Sequence, residues 1–98
     1  MNQYLVDLNL PDELTDEFLS LIPRQRAHVD QMMMDGILSS YALSSDRRKI
    51  WAIIVAESEM EVDAALQSMP LFDFMEATIY QLAFYNVAGS GLPSISLN

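Results

Sequence analysis

The run Ile50-Trp51-Ala52-Ile53-Ile54-Val55-Ala56 has no polar residue to mark an outward face. A sheet covered by helices on one side alternates apolar and polar residues, whereas a continuous apolar run is buried from both sides. A chain of 98 residues has helices enough for one side, so the pattern predicts that a second copy covers the other. Residues 4–8 read as a first strand, ended by Leu10-Pro11-Asp12. From about residue 12 to 35, Leu14, Phe18, Leu21, Ile22, Val29, Met32 and Met33 recur at helical spacing, and Gly36 closes the helix. Pro23 falls on the outer side of that stripe, where the pattern allows one kinked helix or two shorter ones. Residues 37–43 and 49–56 form two strands joined by Ser44-Ser45-Asp46-Arg47-Arg48, a hairpin turn. Ser58 and Glu61 make a capping box for a short helix that Pro70 stops, and residues 78–87 read as a last strand. The order β-α-β-β-α-β predicts an α+β, ferredoxin-like fold with a four-stranded antiparallel sheet. Residues 1–98 form a single domain, with 88–98 as a tail after Ala88-Gly89-Ser90-Gly91 that either frays or docks on a neighbouring subunit.

Hydrophobic residues make up 51% of the chain, yet the longest apolar runs fall short of the ~18–20 residues that span a bilayer. The excess is assigned to subunit interfaces. A net charge of −9 repels phosphate backbones and anionic lipid, which disfavours nucleic acid and membrane surfaces as partners. With no cysteine and one histidine, thiol chemistry and a metal site are not expected. No phosphate-binding loop or dinucleotide fingerprint is present, so no cofactor is expected, and haem would need His28 as its ligand. No basic, apolar leader precedes the first strand, and a cytoplasmic setting is expected.

Five residues are candidates for chemistry. Gln25 lies near the centre of the first helix's apolar stripe, where an amide either finds a partner or lines a cavity. Arg26 and His28 stand on opposite borders of that stripe. His28 is the natural proton shuttle, since only histidine titrates near neutrality unperturbed; the plainer reading is a surface residue. Asp7 lies on the strand face opposite Val6 and Leu8, as a proton-abstracting base if that face is enclosed and as an ordinary carboxylate if it is not. Tyr41 could polarise a carbonyl through its hydroxyl or serve as packing.

Met69-Pro70-Leu71-Phe72-Asp73-Phe74-Met75 resembles the helix-to-strand junction of the muconolactone δ-isomerase family. Asp35-Gly36 at the end of the first helix and Trp51 in the third strand extend the match. The resemblance implies a dimeric α/β-barrel, often within a larger ring of dimers, and a cofactor-independent proton-transfer isomerase acting on a lactone or small carbonyl compound. On that reading His28 or Asp7 would move the proton, while Gln25, Tyr41 and Arg26 would hold the oxygens. The family carries acidic residues in the second half of the first helix, where this chain has Gln25 and Ala27, and basic residues in the second strand, where it has Ser39 and Leu43. These departures also open the alternative of a non-catalytic oligomeric ligand-binding or structural module with the same fold.

Overall fold

A computed structural model describes residues 1–88, and the tail expected at 88–98 lies almost wholly outside them. The elements are β1 (Asn2–Asn9), α1 (Asp16–Met34), β2 (Leu38–Leu43), β3 (Lys49–Ala56), α2 (Glu59–Gln67), a short 3-10 turn (Phe72–Phe74) and β4 (Glu76–Gln81). The strands form one antiparallel sheet in the order β2-β3-β1-β4, which is the predicted ferredoxin-like arrangement.

α1 begins later than residue 12. Thr15 is its N-cap, its hydroxyl accepting from the Phe18 amide, with Asp16 and Glu17 in the positive first turn. The helix continues through Pro23 as one element; the proline lacks the amide that would bond the Leu19 carbonyl, and both residues are exposed. At the other end Gly36 adopts φ 78°, the Gly36 amide donates to the Met33 carbonyl and the Ile37 amide to the Met32 carbonyl. This double closure satisfies the last carbonyls and uses the backbone freedom of glycine. In α2 the Ser58 hydroxyl accepts from the Glu61 amide, and the Glu61 carboxylate accepts from the Glu57 amide at 2.8 Å.

One face of the sheet carries Tyr4, Val6, Leu8, Ile50, Ala52, Ile54 and Leu38 into a core with Phe18, Val29, Met32, Val62 and Leu66 from the helices. The Phe18 and Phe74 rings meet edge to face at 5.5 Å. The opposite face carries Leu5, paired with Ile53 and Tyr80, and Asp7, paired with Trp51 and Thr78. Leu5 and Val55 are half-buried there and Ile53 is buried, while Trp51 and Tyr80 retain 40% and 51% exposure.

β2 and β3 pair out of step at one point. Leu38 faces Ile54 but Ser40 faces Ile53, so Ser39 is an extra residue in β2. The bulge lets Leu38 and Tyr41, three positions apart, both turn toward the helices, which strict alternation forbids. Strand β4 spans residues 76–81 rather than 78–87. Leu82 still donates its amide to the Gln3 carbonyl at 2.9 Å, but Phe84 and Val87 beyond it are exposed. Met33, expected on the core stripe, is 41% exposed, because the stripe narrows to Val29 and Met32 in the last turns.

Replacing Leu66, which has no exposed surface, by alanine should lower unfolding stability by about 2–5 kcal/mol. Met34→Ala, at an exposed position, should change it by less than about 0.5 kcal/mol. Urea unfolding followed by circular dichroism separates the two.

Candidate functional site

Gln25 is the one buried polar side chain among the described residues, at 4% exposure. Its Oε1 accepts from the Leu71 amide at 3.0 Å and its Nε2 donates to the Tyr41 hydroxyl at 3.3 Å. A backbone amide can only donate, so the Leu71 contact fixes which end of the Gln25 amide is oxygen. One side chain thereby joins α1, β2 and the segment after α2.

Beside this clamp, between α1 and β2, lies a pocket of about 210 Å3 lined by Gln25, Arg26, Val29, Asp30 and Tyr41. At ~30 Å3 per water in the liquid, it has room for a small ring compound. Arg26 and Asp30 stand one helical turn apart at its exposed lip, Val29 and Gln25 form the buried floor, and the β2 bulge turns Tyr41 inward. Burial pushes the Tyr41 phenol above its usual pKa of 10, and the hydrogen bond from Gln25 partly offsets this. The phenol is therefore a neutral O–H at physiological pH.

Gln25, Arg26 and Tyr41, expected from the sequence, are thus brought together. Asp30 joins them too, and the one signal of it in the sequence is its position four residues after Arg26. His28 and Asp7 do not line this pocket. His28 points to the other flank of α1, where its Nε2 lies 2.8 Å from the Ser68 hydroxyl at the end of α2. That hydroxyl donates to the Ala65 carbonyl at 2.6 Å, which leaves the His28 N–H to donate to it. Asp7 lies on the open face of the sheet, 2.7 Å from the Lys49 ammonium.

A wider groove of about 660 Å3 sits at the hairpin end of the sheet, where Trp51 and Phe74 meet Arg48, Lys49, Asp12 and Glu76. Both cations there already have carboxylate partners, Arg48 in Asp12 and Lys49 in Asp7. The Ser44 hydroxyl and the Arg48 amide donate to Asp46 in the adjoining turn and hold its carboxyl below the usual range. The smaller pocket is the stronger candidate, because a buried amide, a phenol and two charged groups surround one small cavity with Val29 at its base. No cluster among the described residues could hold a metal ion, and no helix there is long and apolar enough to cross a membrane.

Fold and site together define a ferredoxin-like α+β protein with a small polar-rimmed pocket between its first helix and an edge strand. The family model described as muconolactone delta-isomerase matches residues 3–87, and the chain belongs to that family. No curated protein matches the chain.

The Tyr41 shift has a sign. Below the unfolded tyrosine pKa of ~10 the buried phenol carries no ionisation penalty. As pH rises through that value toward the raised folded one, the unfolded chain ionises first and the folded state loses relative stability. Tyr41→Phe should remove this component, flattening the fall in the urea midpoint between pH 9 and pH 11.

Proposed function

We propose that this protein is a cofactor-independent isomerase that moves a proton on a small unsaturated lactone or carbonyl compound bound between α1 and β2. The single observation carrying the proposal is the convergence of Tyr41, Arg26 and Asp30 around one pocket. Family membership supports the same class of chemistry. The Asp30 carboxylate takes a proton from the carbon next to the carbonyl, and the released electron pair spreads onto the carbonyl oxygen. Tyr41 donates a hydrogen bond to that oxygen, and Arg26 adds positive charge at the lip. Protonated Asp30 returns the proton to the far carbon of the dienolate, which shifts the double bond. Asp30 takes this role in preference to Asp7 and His28, which stand on the open sheet face and beside Ser68. The competing reading, a ligand-binding module without turnover, draws on Gln25, an amide where the family carries acid.

α-Angelica lactone in deuterated water, followed by NMR, separates these readings. Carbon-bound deuterium with double-bond migration, reduced about a hundredfold or more in Asp30→Asn, is the expected outcome. Binding without exchange would favour the module, and neither would overturn both.

We further propose that the open sheet face packs against a second copy of the chain as a homodimer, itself able to build a larger ring. The apolar strip of Leu5, Ile53, Val55, Trp51 and Tyr80 supports this, as does the family. A cytoplasmic setting belongs to the same proposal. Light scattering should give twice the chain mass or, for a ring of dimers, a larger even multiple of it, and Trp51→Glu with Tyr80→Glu, both at exposed positions, should lower that mass. A wild type of single-chain mass would overturn the dimer, and a double variant of unchanged mass would overturn this face as its interface.

A further inference from the structure

The pocket's polarity follows from its hydrogen bonds. The Leu71 amide donates to Gln25 Oε1, so Gln25 Nε2 must face Tyr41 and donate to the phenol oxygen. A phenol that receives such a bond has its own proton free for another acceptor. Among the described residues nothing accepts that proton, and Tyr41 lines the 210 Å3 pocket. Resting on the pocket reading above, we infer that the relay Leu71–Gln25–Tyr41 turns the free Tyr41 proton toward the ligand, so that the site favours small rings presenting an acceptor oxygen over those presenting only an N–H. Gln25 is the positioning residue: it need not touch the ligand, and it acts by setting the direction of the Tyr41 proton.

Glutamate at this position would have nearly the same shape and the opposite effect. Its carboxylate would accept from both the Leu71 amide and the Tyr41 hydroxyl, and those two donors favour its ionised form. The Tyr41 proton would then point away from the pocket and present lone pairs to the ligand. The difference between amide and acid at residue 25 is thus one between a donor-bearing and an acceptor-bearing cavity.

Two five-membered rings read out the direction, 2(5H)-furanone, whose oxygens only accept, and pyrrole, whose N–H only donates. Both are titrated at pH 9, where a carboxyl is ionised and the Tyr41 phenol is not, and followed by the Val29 methyl resonances. The wild type should prefer the furanone, Gln25→Glu should shift the affinity ratio toward pyrrole by about tenfold or more, and Tyr41→Phe should leave little preference. A merely structural Gln25 would weaken both ligands together and leave the ratio unchanged, which would overturn the inference even with binding intact. A wild type that favours pyrrole, or a Tyr41→Phe variant that keeps the furanone preference, would also overturn it. If Gln25→Glu does not fold, the Tyr41→Phe ratio decides alone. Failure of both rings to perturb Val29 in the wild type would remove the pocket as a binding site, and with it this inference.

Discussion

An amide in the middle of an apolar helix stripe has to be answered on both its ends, since each unmet bond in the interior costs on the order of 1–3 kcal/mol. Gln25 is answered at one end by a backbone amide after α2 and at the other by a side chain of β2. Those partners are distant in sequence and meet only when α1, the edge of the sheet and the post-helix turn are all in place. The clamp therefore ties the pocket's geometry to completion of the fold. The apolar contacts around it are more forgiving, because neighbouring side chains can trade volume, whereas a hydrogen bond tolerates little displacement.

The sheet divides the labour of the molecule. Its helix-bearing face encloses the core and, at the β2 margin, the pocket; its other face carries an apolar strip with the Asp7–Lys49 pair beside it. Because alternate residues of each strand serve these two purposes, neither surface can be redesigned without regard to the other. Trp51, between Ile50 and Ala52, shows this directly: its neighbours fill the core while its own indole stays in view of solvent.

Much of this was written in periodicity. The two-sided apolar run of β3, the glycine stop at Gly36 and the Ser58–Glu61 cap each follow from local chemistry, and each is present. Gln25 stood out because a polar residue interrupted an apolar stripe. What stayed illegible depended on direction and distance. The borders of a helical stripe look alike in sequence, but α1 turns Arg26 and Asp30 toward β2 and His28 toward α2, so only one border meets the pocket. Leu14 continues the apolar spacing back toward Asp12, but the Thr15 cap sets the start of α1. At β4 an apolar run persists past the last pairing residue, so the apolar pattern extends beyond the strand.

The bulge at Ser39 concerns more than pairing. A regular strand ties side-chain direction to whether a residue's number is odd or even, so a changed length ordinarily turns everything downstream over. Here the surplus residue already sits outside the ladder, and the pairs from Ser40 to Leu43 run in step without it. A chain lacking Ser39 would run straight from Leu38 to Tyr41 and keep the phenol in its pocket, as an unaltered Tyr41 titration would reveal. The bulge is thus the strand's slack, the one place where β2 can shorten across evolutionary descent while the pocket beside it stays as it is.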